Sequence, residues 1–443
     1  MSMTEFWQKE IETMPRAELE KFQLIRLKET IKQAMKSPYY GKLYKEKGID
    51  PDSLADINDI RKLPFTEKQD LRNEYPFGFL SVPQQQIIRL HSTSGTTGNP
   101  IVVFHTKHDL DSWANLMARS LFSAGARDTD VFQNICGYGL FTGGLGLQYG
   151  IERLGALSIP AGAGNTTRQV KLMKDFGTTA VHAIPSYLSR LYEGIIAEGI
   201  DPKKDLKLRF AAIGAEPHTE EQRARIEELF GIKAYNSYGL TEMNGPGVAF
   251  ECTEQTGMHI WEDCYVAEII DPMTLEPVPD GQEGELVLTT LDRHAVPIIR
   301  YRTRDITCFI EAPCKCGRTH KKIARITGRS DDMFIIRGCN VYPMQIEAIL
   351  MKMPQLASNY LITLDTNENN DFIQVEAEIK SDTFTGDIEA LDKLSKFVTR
   401  EIADEILVTP IVKLVGQGTL PQSEGKAVRV KDLRTICKNE SYK

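Results

Sequence analysis

From residue 87 to about 240, short apolar runs alternate with longer amphipathic ones. Strand-like stretches at 130–136, 156–160, 179–184, 207–213 and 232–238 alternate with helix-like stretches at 107–124, 142–154, 166–176, 185–199 and 219–230. Thr219 and Gln222 have capping-box spacing at the start of the last helix. Alternation at this spacing predicts a parallel sheet covered by helices. Ligands of such sheets sit beyond the carboxyl ends of the strands, so the loops there are the places to search.

The rest of the chain changes pattern twice. From 262 to 327 it becomes all-β, with strands expected at Tyr265–Asp271, Glu285–Leu291 and Ile298–Ile310 and turn signals at Asp271-Pro and Pro279-Asp-Gly. That reads as a smaller β-subdomain. Gly328-Arg-Ser-Asp-Asp332 is short and polar and marks a boundary. Beyond it come a β-ribbon (333–342), a helix (343–352), strands (358–365 and 372–380), a helix (387–406), a strand (411–415) and a glycine-rich tail. This is an α+β unit large enough to fold alone. Residues 1–86 read as a helical segment of the large domain with a turn-rich end, and Thr66 stands where a helix would be capped. The expected class is α/β: a large N-terminal domain with a helix-covered parallel sheet and a β-subdomain, then a small α+β domain. The expected divisions are 1–86, 87–328 and 329–443.

Charge narrows the partners. With 53 Lys and Arg against 61 Asp and Glu the net charge is −8, which argues against a nucleic-acid or anionic-membrane surface. No apolar run approaches the roughly 18 residues of a spanning helix. The first ten residues lack a basic and an apolar region of secretory type, so a cytoplasmic protein is expected. Eight cysteines in a chain this long are too sparse for a disulfide scaffold.

The most chemically pointed stretch is Ser92-Thr93-Ser94-Gly95-Thr96-Thr97-Gly98. Every side chain is short, so the backbone N–H groups are open to a ligand, and the hydroxyls add donors. A polyphosphate fits. The stretch is not a Walker A loop, because no lysine follows the second glycine. Its flanks, 87–90 and 101–104, both read as strands. On its own it could equally be a polar hairpin loop.

Five further segments carry polar groups near expected strand ends or boundaries. In Ile213-Gly214-Ala215-Glu216-Pro217 the small residues would let a flat base lie on the backbone, and Glu216 could accept from an exocyclic amine. In Ser237-Tyr238-Gly239-Leu240-Thr241-Glu242, which follows Asn236, a tyrosine face can stack on a base. There Thr241 can donate to phosphate and Glu242 is a hard oxygen ligand for Mg²⁺. Tyr301-Arg-Thr-Arg-Asp305 offers a carboxylate to ribose hydroxyls, or to a neighbouring arginine. Arg329 sits at the boundary, and Lys426 lies in the exposed loop Gly418–Lys426. Taken singly, each has an ordinary structural explanation.

Taken in order, these segments resemble the adenylate-forming (acyl-CoA synthetase) superfamily from about residue 87 onward. Within it, Tyr138-Gly-Leu-Phe-Thr-Gly-Gly-Leu-Gly146, Ile151–Gly155, Ser330–Gly338, Asn340–Pro343 and Ser423–Arg429 are similar to the phenylacetate–coenzyme A ligase family. The resemblance implies roles. The Ser92–Gly98 loop would hold ATP phosphates. Gly214, Ala215, Glu216, Pro217, Asn236, Tyr238 and Gly239 would line the nucleotide site. Thr241 would contact the α-phosphate, Glu242 the Mg²⁺, and Asp305 with Arg329 the ribose. Asp331 would be the hinge of a mobile C-terminal domain, and Lys426 the cation of the first half-reaction. Gly338 and Tyr342 would serve coenzyme A. The implied activity joins an aromatic acid to ATP as acyl-AMP with release of pyrophosphate, then to coenzyme A with release of AMP. Asn99 stands where many relatives have lysine, which weakens any pyrophosphate contact there.

The acid pocket is expected from Tyr138, Phe141, Gly214 and Pro246, an apolar set with glycines making room for a ring; Phe141 and Pro246 could also be plain packing. Cys252, His259, Cys314 and Cys316 are expected to form a closed zinc set of structural type, tying a loop to the β-subdomain, with Cys308 and His320 as rival ligands and reduced, unliganded cysteines as the other reading. Cys136, Cys264 and Cys339 need no catalytic role. The other readings are an enzyme loading a carrier-protein pantetheine and a non-enzymatic zinc-ribbon interaction module. The family implies a homodimer.

Overall fold

The computed structural model describes residues 5–93, 99–216, 218–336, 339–367, 370–381, 387–421 and 429–434. Ser94–Gly98, Pro217, Gly338 and Lys426 lie outside the described residues. The chain divides into two compact units. The first holds residues 1–184, 191–215 and 229–326; the second holds 185–190, 216–228 and 327–443.

The first unit is built on a nine-stranded sheet. Five neighbours run parallel: Lys233–Leu240, Phe210–Gly214, Ala180–Ala183, Val131–Asn134 and Leu157–Ile159. The central two are buried along their whole length, as expected where helices cover both faces. Four more strands extend the sheet antiparallel: Gly245–Glu251, Met258–Ile260, Lys322–Ile323 and Phe309–Ile310. The sheet is therefore mixed, where a parallel one was expected. The stretch read as one strand over 298–310 is also two, Tyr301–Thr307 and Phe309–Ile310, and only the first stays in the smaller sheet. Local alternation identifies a strand but not the sheet it joins, because the pairing partner is far away in sequence.

The smaller sheet pairs Tyr265–Ile270, Gly284–Thr290 and Tyr301–Thr307 antiparallel. Residues 5–86 clamp its third strand. Tyr40 Oη and Thr66 Oγ1 are 2.7 Å apart; Ile299 N donates to Tyr40, and Thr66 donates to the Ile299 carbonyl. Arg300 donates to the carbonyls of Arg61 and Leu63. The helical N-terminal stretch, to which the sequence assigns only packing, holds the segment that carries Asp305. The strands Arg89–Ser92 and Val102–His105 pair antiparallel with Ser92 opposite Val102, flanking the Ser92–Gly98 stretch as expected.

The second unit has a four-stranded sheet in the order Ile411–Gly416, Asn370–Ile379, Leu356–Asn367, Val430–Asp432. Helices Pro343–Lys352 and Ile388–Ile406 contribute Ile346, Val398 and Ile402 to a core with Ile362 and Val375. Val430–Asp432 pairs parallel with Leu356–Asn367, a strand that the tail's sequence did not announce. Among the described residues no helix is long and apolar enough to cross a membrane.

Candidate active site

The loops that follow parallel strands carry Tyr138, Phe141, Ala215, Glu216, Thr241 and Glu242. Lys233–Leu240, the middle strand of the sheet, carries Asn236, Tyr238 and Gly239 in its carboxyl half, and a short 3₁₀ turn, Thr241–Met243, follows it directly. The Tyr238 hydroxyl donates to Asp305 Oδ2 at 2.6 Å, so a residue of the large sheet meets one of the small sheet. Glu242 is buried, and Tyr301 donates to its Oε1 at 2.9 Å; its other oxygen makes no hydrogen bond among the described residues. Arg293 donates to the Glu242 carbonyl. Tyr301 and Arg293 were not singled out from sequence. Tyr301 was legible only as a strand residue beside Asp305, since nothing local predicts that its hydroxyl reaches Glu242.

Backbone conformation is unusual at these same places. Ala215 has φ 67°, Asn244 φ 79°, Arg300 φ 48° and Arg304 φ 68°. Side-chain-bearing residues in the left-handed region cost of order 1 kcal/mol each and gather where surrounding structure enforces them. Here they flank Gly214, Glu242 and Asp305. Gly214 ends its strand so close to Ser237 that a Cβ there would meet the Ser237 carbonyl oxygen at 2.3 Å.

Of the residues expected to line the acid pocket, Pro246 lies against Trp113. Its indole N–H donates to the Pro246 carbonyl at 2.8 Å. A Cβ on Gly146 would lie 2.3 Å from Trp113 Cζ2 and 3.0 Å from Pro246 Cγ. Gly245, at φ 113°, leaves a similarly tight space for Thr142. Phe141 is 54% exposed, so it is not core packing. The Tyr138 hydroxyl accepts from Asn134 Nδ2 at 2.9 Å, and burial pushes its pKa up to about 12. Ser92 N donates to the Leu140 carbonyl at 2.9 Å, joining the strand before the hydroxyl-rich stretch to the pocket wall.

Other expected residues have local partners. Both Glu216 carboxylate oxygens accept from Ser186, one from its N–H at 2.6 Å and one from its hydroxyl at 3.0 Å. Arg329 makes a two-point contact with Asp331, at 2.8 and 3.0 Å. Tyr342 caps helix Pro343–Lys352, its N–H donating to Gln345.

Cys252, His259, Cys314 and Cys316 place their ligand atoms within 4.8 Å of one another. Cys252 Sγ is 3.5 Å from Cys314 Sγ, and Cys316 Sγ is 3.3 Å from His259 Nε2. His259 Nδ1 donates to the His320 carbonyl at 3.1 Å, which leaves Nε2 as the ligating nitrogen. Three thiols and one oriented imidazole in a partly buried cluster fit a closed tetrahedral site. Burial alone would lower the His259 pKa, but contacts with Cys314 and Cys316 raise it to about 9. The Cys252 contact, with His259 beside it, holds the Cys316 thiol far below its usual range. His320 stands outside the cluster, its ring bonded to the Ile260 and Ile11 carbonyls. The four residues do not tie a loop to the β-subdomain. Cys252 follows one strand of the nine-stranded sheet, His259 lies on the next, and Cys314 and Cys316 sit between Phe309–Ile310 and Lys322–Ile323 of that sheet.

The AMP-binding enzyme family model matches residues 45–290, and the AMP-binding enzyme C-terminal domain matches 338–434. The phenylacetate–coenzyme A ligase of Thermus thermophilus is 44% identical over 97% of this chain and 99% of its own. That of Pseudomonas putida is 46% identical, covering 94% of each chain. Among solved structures, 2-hydroxyisobutyryl-CoA ligase in the postadenylation state, in complex with R3-HIB-AMP, superposes with a TM-score of 0.92 at 30% identity, covering 97% of this chain and 93% of that one. With family models matching both parts of the chain and relatives alike along nearly all of it, the chain belongs to the phenylacetate–coenzyme A ligase family of AMP-binding enzymes and is an AMP-forming acid–CoA ligase.

Proposed function

We propose that the protein activates an aryl-acetic acid, phenylacetate first among them, and transfers it to coenzyme A. The observation that carries the reading is the meeting of Tyr238 with Asp305 at 2.6 Å, beside the buried Glu242. Tyr238 presents a ring face for adenine while its hydroxyl holds the carboxylate that accepts from ribose. The Ser92–Gly98 stretch holds the phosphates, with Gly214, Ala215, Glu216, Pro217, Asn236 and Gly239 lining the base and Thr241 on the α-phosphate.

An oxygen of the acid attacks the α-phosphorus and pyrophosphate leaves. The nucleophile is already an anion, so no side-chain base is needed; charge neutralisation and alignment do the catalysis. The Glu242 carboxylate, with one oxygen held by Tyr301, suits Mg²⁺, which would offset phosphate charge. Lys426 adds a cation to the acyl and phosphate oxygens. The coenzyme A thiol then attacks the acyl carbon, AMP leaves, and Gly338 and Tyr342 line the thiol's approach. A C-terminal domain, 329–443, turning about Asp331 would withdraw Lys426 between the steps. Arg329 assists at the ribose.

The acid lies among Tyr138, Phe141, Gly214 and Pro246. Cys252, His259, Cys314 and Cys316 hold zinc, whose role is to brace strand ends. The enzyme works in the cytoplasm as a homodimer, away from membranes and nucleic acid. A panel of aromatic and aliphatic acids assayed with ATP and coenzyme A, reading AMP release, tests the substrate. Phenylacetate is expected to lead; a short aliphatic acid leading by ten-fold would reject the aromatic pocket.

A further inference from the structure

Asn134 ends a parallel strand and is fully buried, yet it lies among the residues placed around the acid. Its side-chain amide makes four hydrogen bonds on three segments. Nδ2 donates to the Tyr138 hydroxyl at 2.9 Å and to the Gly144 carbonyl at 2.7 Å. Oδ1 accepts from the Cys136 N–H at 3.4 Å and from His182 Nδ1 at 3.1 Å. Because Oδ1 can only accept, His182 Nδ1 must carry the proton, and its Nε2 is left facing Cys136 Sγ at 3.8 Å. His182 stands on the neighbouring strand, Ala180–Ala183, and is buried there. The Asn134 carbonyl also accepts from Gly162 N at 3.1 Å.

The segment from Cys136 to Gly144 contains four glycines, and its two large apolar side chains, Leu140 and Phe141, are exposed. Gly139 sits at φ 116°, and a Cβ on either Gly137 or Gly139 would meet nothing within 4 Å. Packing therefore does little to fix its shape. A planar amide with both donors and its acceptor engaged does fix it, since it sets the height of Tyr138 and of the first turn of helix Thr142–Leu154 together. In a buried setting such a network is specific, because breaking any member leaves a polar group without a partner.

From this geometry we propose that Asn134, braced by His182, is the positioning residue that sets which acids the enzyme accepts, by holding the Tyr138 hydroxyl and the 136–144 wall in place. The Tyr138 oxygen accepts from Asn134, so its own proton remains available to an acceptor in the pocket. The wall thus offers the acid one fixed donor in otherwise apolar surroundings, and an aryl acid bearing a ring oxygen is the class most sensitive to its placement. The inference rests on the acid pocket proposed above.

The test is steady-state kinetics of the full-length Asn134→Ala, Tyr138→Phe and double variants with phenylacetate, 4-hydroxyphenylacetate and ATP as varied substrates. Asn134→Ala is expected to raise KM for both acids at least ten-fold, leave KM for ATP within two-fold, and change the ratio of kcat/KM between the acids. In the Tyr138→Phe background the same substitution should cost markedly less, since the two share one bond. A general fall in kcat with unaltered acid selectivity, or effects of the two substitutions that simply multiply, would overturn the positioning role. Should Asn134→Ala not fold, Asn134→Ser, which retains a donor too short to span both partners, is read by the same criteria. If the wild type turns over no aromatic acid, the pocket reading fails instead. If it turns them over and Asn134→Ala matches it, only this inference fails.

Discussion

Tyr238 Oη lies 2.6 Å from Asp305 Oδ2, and the two residues belong to different sheets of the first unit. The bond ties one oxygen of a half-buried carboxylate to a tyrosine of the other sheet. A hydrogen bond to a charged group is worth about 1.5–3 kcal/mol. Tyr238→Phe keeps the ring and removes this bond. Steady-state assays should show KM for ATP rising roughly ten-fold, as about 1.4 kcal/mol implies, with KM for the acid little altered. An unchanged KM for ATP would separate Asp305 from nucleotide binding.

Gly146 tests the other side of the site. A methyl there would fall within 2.3 Å of the Trp113 ring. Trp113 is almost fully buried and tied to Pro246, so it cannot swing clear without moving the pocket. Overpacking of this kind costs about 1–3 kcal/mol. Gly146→Ala is expected to lower the melting temperature by several degrees and raise KM for the acid more than that for ATP. A variant as stable as the wild type would show that the ring has room to spare.

The sulfur cluster makes a prediction about metal content. Elemental analysis of the purified protein should find one zinc per chain. Cys314→Ser should lose most of it and melt at lower temperature, while retaining measurable adenylation, because the closed set leaves no position for substrate. Wild-type protein free of zinc, with all four side chains reduced and full stability, would refute the assignment.

His182 supplies a pH dependence. Burial disfavours its charged form and lowers its pKa to about 4, against 6.5 for the free side chain. Between those values the unfolded chain binds the extra proton and the folded one does not. The contribution is therefore complete above about pH 6.5 and is lost as pH falls toward 4, to a limit of roughly 3 kcal/mol. Urea unfolding at pH 7 and pH 5 should show a loss in the wild type that is smaller in His182→Gln. Equal losses would place the acid sensitivity elsewhere.

The parts of the fold written in local pattern were legible from sequence, and the parts set by distant pairing were not. Strands such as Ala180–Ala183 and helices such as Thr166–Phe176 carry their own periodicity and stop signals. Phe309–Ile310 and Lys322–Ile323 are only two residues long, and nothing in two residues tells which sheet they will join. The site shows the same division. Tyr238, Glu242 and Asp305 were findable because short motifs bring them to strand ends. Asn134, Tyr301 and Arg293 were not: Tyr301 and Arg293 meet Glu242 from 59 and 51 residues away, and Asn134 acts through a network that reaches His182, 48 residues on, to which nothing local points. The clamp of Thr66 and Tyr40 on Ile299 was hidden for the same reason.

The central claim is that the nucleotide's α-phosphorus is attacked by the acid before coenzyme A takes part. Acid-dependent exchange of labelled pyrophosphate into ATP, measured with coenzyme A left out, reads that step alone. The account predicts exchange with phenylacetate in the wild type and its loss, by at least a hundred-fold, in Lys426→Ala. Exchange that required coenzyme A, or that survived intact without Lys426, would contradict it.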